Sequence, residues 1–166
     1  MKTRGGSYRY RRLQILEGAN KDPYRPGRKP SGPVQCRGCG ALFSKGRWRW
    51  GEAPAGAKKI RCPACRRSDE GMPGGYVTIS GDFFRQRGAE VLARVRHCEA
   101  QEKARHPLDR LIAVENDGRK ALVTTTSPHL ARLLGHALEH AFKGDLALAY
   151  NRQENLLRVR WSRTLD

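Results

Sequence analysis

The sequence predicts a mixed α+β fold, and three observations carry that prediction. Two Cys-x-x-Cys pairs, Cys36-Arg37-Gly38-Cys39 and Cys62-Pro63-Ala64-Cys65, are separated by 22 residues; an amphipathic helical stretch runs over 83–104; and two strand-like runs, a capped helical run and two more strand-like runs follow residue 108. The 166 residues, 38% hydrophobic with 18 Gly, suffice for one modest core and a satellite rather than two large domains. Four segments are expected: a flexible basic arm over 1–33, a cysteine unit over 34–75, a strand and linking helix over 76–107, and a ββαββ domain over 108–166.

The arm interleaves Arg, Lys, Gly, Pro and Tyr, as in Ser7-Tyr8-Arg9-Tyr10-Arg11-Arg12 and Tyr24-Arg25-Pro26-Gly27-Arg28-Lys29-Pro30. Leu13, Ile15 and Leu16 form its one apolar cluster, too little surface to offset the entropy of ordering. It is expected to order on contact with a partner, with a short helix around 11–18. Arg9, Arg11 and Arg12 beside tyrosines suit a nucleic acid, because guanidinium neutralises phosphate while the ring stacks on an unpaired base; a solvated tail is the plainer alternative.

In the cysteine unit each pair offers two thiolates on a tight turn. Two such turns facing each other close a tetrahedral shell of Cys36, Cys39, Cys62 and Cys65 around one structural Zn2+, the arrangement of a zinc ribbon. Gly38 and Gly40 let the backbone bend so that amides point at sulfur, and Pro63 stiffens the second turn. Disulfides fit less well. The first twelve residues carry Lys2, Arg4, Arg9, Arg11 and Arg12 without a signal peptide's apolar core, and no run approaches a membrane span. A reducing cytoplasm is therefore expected, where paired thiols bind metal more often than they oxidise. Iron shares the ligand set, but no flavin or haem motif accompanies it.

Between the pairs, 41–43 reads as a strand, Lys45-Gly46 as a turn and Arg47-Trp48-Arg49-Trp50 as the partner strand. Alternation sends Arg47 and Arg49 outward and puts Trp48 and Trp50 together on the other side, as core or as a stacking surface. Residues 52–57 read as a loop, and Lys58-Lys59-Ile60-Arg61 returns to the second pair. Arg66 and Arg67 follow, and these basic side chains are expected to line one face with Arg47 and Arg49.

Tyr76–Ile79 has strand composition, and Ser80-Gly81-Asp82 resembles a helix start with Asp82 as cap. Phe84, Val91, Leu92, Val95 and Cys98 then share a helical face until Pro107; Cys98 reads as a small buried side chain rather than a ligand or reactive thiol. Further on come strands over 111–115 and 120–125 about an Asn116-Asp117-Gly118 turn, a Ser127-Pro128 cap, a helix over 129–142 ended by Lys143-Gly144, and strands over 146–150 and 156–161. One sheet with a helix packed across it is the prediction, its seam formed by Leu130, Leu133, Leu134, Ala137, Leu138, Ala141 and Phe142. His136-Ala137-Leu138-Glu139-His140 matches the His-x-x-Glu-His spelling of inverted zincins, with both histidines on one face; an ordinary polar helix face explains the same residues.

Charge points to the partner. The formal net charge is +17, and residues 1–75 hold 18 Lys and Arg against 5 Asp and Glu while residues 76–166 hold 15 against 11. Arg outnumbers Lys 24 to 9, a choice suited to phosphates and base edges. The expected function is a noncatalytic nucleic-acid binder, RNA- or ribosome-associated, because no helix-turn-helix or dimer zipper is recognisable and Tyr and Trp lie among Arg. The ββαββ domain would dock on RNA or protein. A DNA-associated regulatory ribbon is the alternative, and a metal-dependent hydrolase using His136, Glu139 and His140 trails both.

Several motifs together resemble a family of short, uncharacterised bacterial zinc-ribbon proteins. They are Asp22-Pro23-Tyr24, Cys36 to Cys39, Gly46-Arg47-Trp48, Cys62-Pro63-x-Cys65, Gly75-Tyr76-x-Thr78, Ser80-Gly81-Asp82-Phe83, Thr124-Thr125-Thr126-x-Pro128-His129-Leu130-Ala131-Arg132 and Glu154-Asn155-Leu156-Leu157-Arg158-Val159. The resemblance implies a ribbon and no particular activity. More distantly, a ribbon followed by strands, helix and strands is similar to the amino-terminal half of the eukaryotic export adaptor of the large ribosomal subunit and its archaeal relatives, although this chain has one four-cysteine set where that group generally has two.

Overall fold

The computed structural model describes Tyr24 and residues 29–165. The expected helix around 11–18 and the candidate contacts Arg9, Arg11 and Arg12 lie outside the described residues. The molecule is mixed α+β, with three helices and two small sheets among the described residues.

A cysteine module comes first. Strands β1 (Val34–Cys36), β2 (Leu42–Ser44), β3 (Arg47–Arg49) and β4 (Lys58–Ile60) form a sheet in the order β3-β2-β1-β4, with β1 antiparallel to β2 and parallel to β4. Lys45 and Gly46, both at positive φ (52° and 81°), make the β2–β3 turn. Helix α1 (Pro63–Glu70) follows immediately, a helix that the sequence reading left out. It is short and polar, so periodicity carries little signal. Its ends are nonetheless marked: the Cys62 sulfur accepts from the Cys65 amide at 3.4 Å as N-cap, Pro63 opens the first turn, and Gly71 at φ 62° closes the last.

The remaining elements form a body: β5 (Gly75–Ser80), α2 (Asp82–Arg105), β6 (Leu111–Asn116), β7 (Ala121–Thr125), α3 (Pro128–Phe142), β8 (Asp145–Asn151) and β9 (Leu156–Ser162). The sheet order is β6-β7-β5-β9-β8; β5 runs parallel to β9, and the other neighbours are antiparallel. The expected ββαββ order is present, but β5 occupies the middle of its sheet, and α2 packs on α3 and β5 instead of merely joining two regions. Pairing with β7 on one edge and β9 on the other sets β5 at the centre, and Val77 and Ile79, on its helix-covered face, are fully buried there. Asp82 is the first helical residue and pairs with Arg85, while Gly81 at φ 100° stands at the N-cap expected for Asp82. Ser127 caps α3 as expected, its Oγ accepting from the Leu130 amide at 3.1 Å.

Buried side chains of β5, β7, β8, β9, α2 and α3 form one core. Trp161 is fully buried among Phe83 and Phe142, and its indole N–H donates to the Lys143 carbonyl at 2.7 Å. Gly135 lets α3 lie close on the sheet: a Cβ there would fall 2.6 Å from Val159 and 2.9 Å from Leu146. Cys98 belongs to this core, where burial pushes its thiol pKa up. No described helix is long and apolar enough to cross a membrane.

Candidate metal centre and basic surface

Chain geometry brings four sulfurs to one point. Cys36 ends β1, Cys39 lies in the turn that reverses the chain into β2, and Cys62 and Cys65 occupy the cap and first turn of α1. The β1–β4 pairing sets Cys36 beside Ile60, delivering the second pair two residues later. All four Sγ atoms lie within 4.8 Å of one another, with Cys36 to Cys65 at 3.7 Å and Cys39 to Cys62 at 3.8 Å. A tetrahedron of thiolates at the Zn–S bond length of about 2.3 Å has an edge of about 3.8 Å, so the sulfurs stand at the spacing one zinc requires.

Amides complete the shell. Gly38 N–H and Cys62 N–H donate to Cys36 Sγ at 3.3 and 3.2 Å. Burial alone would raise the Cys36 thiol, but backbone amides outweigh it and lower its pKa to about 6. Cys62, more deeply placed and surrounded by the other sulfurs, is pushed well above the usual thiol range by burial, and Cys39 is raised for the same first reason. Without a cation, then, the set does not ionise together; a divalent metal is what four neighbouring thiolates need. Gly38 keeps the first turn close to its neighbours: a Cβ there would displace the Arg61 guanidinium, 2.4 Å away, and press on the Cys65 sulfur at 3.1 Å.

A contribution from the body was absent from the sequence reading. The Arg110 guanidinium donates to Cys65 Sγ at 3.3 Å and Cys62 Sγ at 3.5 Å. Burial works against its charge, and the sulfurs, Cys65 first, more than compensate. Arg110 is held in turn by paired bonds with Thr126, Arg110 N–H to Thr126 Oγ1 and Thr126 N–H to the Arg110 carbonyl, each 2.9 Å. Leu108 packs on the cysteine cluster beside it. Forty-five residues separate Arg110 from Cys65, and no local pattern marks such a partner.

The expected basic residues divide. By strand register Arg47, Arg49 and Lys59 share one face of the small sheet, whereas Lys58 falls on the face of Trp48, so the expected single face is split. Arg47, Lys58, Lys59 and Arg66 are exposed, as is Arg37, which the sequence reading passed over. Arg49 is half-buried, its Nε out of water without a hydrogen-bond partner, which corrects the expectation that it projects outward. Arg61 makes a two-pronged pair with Asp69 at 2.5 and 2.7 Å. Arg67 is 6% exposed, donates to the Met72 carbonyl at 2.9 Å and lies 4.4 Å from the centre of the Tyr24 ring. It is part of the scaffold, not of an outward basic face. Tyr24 itself is buried against α1 with its hydroxyl on Glu70, although the arm was expected to stay disordered before contact. That bond, with burial, raises the phenol's pKa.

The two tryptophans also part. Trp48 packs on the cysteine cluster and edge-on to Phe43 at 5.5 Å, a core role. Trp50 is 38% exposed, and its N–H bonds the Lys103 carbonyl at 2.8 Å, pinning the module to the end of α2. In the His-x-x-Glu-His stretch, His136 pairs with Glu139 at 3.6 Å. Among the described residues the three do not gather as a metal-sized group; the groups that do are the four cysteines and Glu102, Asp109 and His129. No family model, curated protein or solved structure matches the chain.

Proposed function

We propose that the protein is a noncatalytic, cytoplasmic nucleic-acid binder, RNA- or ribosome-associated, whose cysteine module is a zinc ribbon held by one structural Zn2+. On this reading it belongs with the short bacterial zinc-ribbon proteins that it resembles. The observation that carries the reading is the four-sulfur shell of zinc dimensions at the base of a module that exposes Arg37, Arg47, Lys58, Lys59 and Arg66. Bound zinc would supply no chemistry beyond cross-linking β1, the first turn and α1; the residues themselves fix where the cations stand. Zinc is taken as the ion on the sulfur spacing, and since four thiolates suit iron as well, elemental analysis separates the two. A carrier of +17 attracts polyanions through counterion release, and Arg-rich exposed positions on a rigid frame give phosphates fixed contacts.

The test has two arms. Elemental analysis of purified protein is expected to give one zinc per chain. Tagged protein recovered from cells is expected to bring ribosomal RNA that RNase, and not DNase, removes. Recovery of DNA alone would favour the DNA-associated reading, and metal-free folded protein would end the ribbon reading.

A further inference from the structure

We propose that the face of the five-stranded sheet opposite helices α2 and α3 is a platform for a single-stranded segment of RNA, with Tyr76 as the stacking ring and Arg158 and Arg160 as the phosphate contacts. The inference rests on the nucleic-acid reading above and adds a second surface to it. Helices α2 and α3 cover the face of the sheet that carries Val77, Ile79, Val123, Val159 and Trp161. The opposite face is laid out by register in two rows across all five strands. The first reads Ala113, Thr124, Tyr76, Arg158, Ala149, and the second Glu115, Leu122, Thr78, Arg160, Ala147.

Three features of those rows select the occupant. Tyr76 is half-buried at the middle of the sheet with the Arg158 guanidinium 5.8 Å from its ring centre, so an aromatic face and a cation are presented together. Arg158 and Arg160 are exposed, and their neighbours on β8 are alanines, too short to cover them. The large exposed apolar side chains among the described residues are Trp50, Met72 and Leu165, none of them in these rows, and Leu122, the one large aliphatic side chain there, is half-buried, so the face offers little of the apolar centre of a protein-docking patch. Three acids stand near these cations: Glu115 lies at the far edge on β6, Asp145 is exposed one row beyond Arg160 on β8, and Glu154 meets Arg158 at 3.8 Å as a solvent-exposed pair of little strength, so Arg160 is the cation with an acid on the neighbouring row and Arg158 the one with an acid at its side. An open sheet with a central ring flanked by guanidinium is how bases splayed from a single strand are stacked.

Full-length, zinc-loaded protein would be titrated into a fluorescein-labelled twelve-nucleotide oligouridylate and into a duplex RNA of equal length over a salt series. Tyr76→Ala is expected to weaken single-strand binding about tenfold, Tyr76→Phe to stay within about twofold, and the Arg158→Ala/Arg160→Ala double variant to flatten the salt slope by one to two units. The double variant alters exposed side chains and keeps the test valid if Tyr76→Ala fails to fold. Wild-type binding that survives in both Tyr76→Ala and the double variant, or that favours the duplex, overturns the platform while leaving the nucleic-acid function intact. Absence of salt-dependent binding to any RNA overturns both.

Discussion

Among the described residues, 18 buried side chains form one core in the body, whereas the buried cluster around the four sulfurs has five members, three of them cysteines, and Val34, Leu42 and Phe43 are the other buried apolar side chains of the small sheet. The two regions therefore hold their shape by different means. In the body, the sheet and two helices exclude water from branched and aromatic side chains, each contributing roughly 1.5–3 kcal/mol. The module has strands of three residues and one eight-residue helix, little apolar surface to fold alone, and on the proposed reading a metal held by the four sulfurs supplies the missing cross-link. The difference teaches where a mutation is felt: through volume in the body, through ligation in the module.

The largest expected effect breaks the module and spares the body. Removing metal with a strong chelator, or replacing Cys62 with Ser, forfeits a binding term of about 10–16 kcal/mol for structural zinc of this type. Hydrogen exchange should then show the amides of 34–60 losing protection while those of β5, β7 and β9 keep theirs. A single transition that takes both regions together would contradict the comparison.

The converse experiment is next in size. Trp161→Ala empties the centre of the body and removes the bond to the Lys143 carbonyl, at a cost of about 3–5 kcal/mol. Thermal unfolding of the body should move down by many degrees, while zinc content at lower temperature stays at one per chain. Loss of metal at that temperature would mean that the module has no integrity of its own.

These contrasts also mark what the sequence could disclose. The sulfur ligands and the strands and α3 after residue 108 were legible because each is written locally: a two-residue gap between cysteines, an Asn-Asp-Gly turn, a Ser-Pro cap. The place of β5 was not, because Tyr76–Ile79 reads the same at an edge or at the centre; only pairing with β7 and with β9, some 80 residues on, settles it. Arg67 and Arg61 looked like surface cations because sequence gives charge without partners, and Met72, Tyr24 and Asp69 supply those partners in three dimensions. Arg110 carried no signal at all.

That residue joins the two regions, so its loss should blur the comparison without destroying either side. Arg110→Met keeps much of the side chain's length and removes two bonds to sulfurs whose charge, as thiolates on one divalent ion, would be only partly compensated. Bonds to charged groups are worth about 1.5–3 kcal/mol. Release of zinc to a chromogenic chelator should accelerate by roughly tenfold or more, with the body's melting temperature little changed. An unchanged release rate would reduce Arg110 to a packing role.

The smallest effect separates exposed cation from scaffold cation inside the module. Arg47 is exposed at the end of a three-residue strand, and Arg67 is nine-tenths buried with its charge over Tyr24 and its N–H on the Met72 carbonyl. Arg47→Ala should leave stability within about 0.5 kcal/mol and lower the salt slope of RNA binding by about one unit. Arg67→Ala should do the opposite, since it strands a carbonyl and uncovers a ring, for a loss of about 1–3 kcal/mol with the slope unchanged. Chemical denaturation and binding isotherms on the same two proteins read both quantities. If Arg67→Ala flattened the slope as much as Arg47→Ala did, the guanidinium that packs on Tyr24 would have to turn outward in the complex, and α1 would be a moving part of the interface and not its frame.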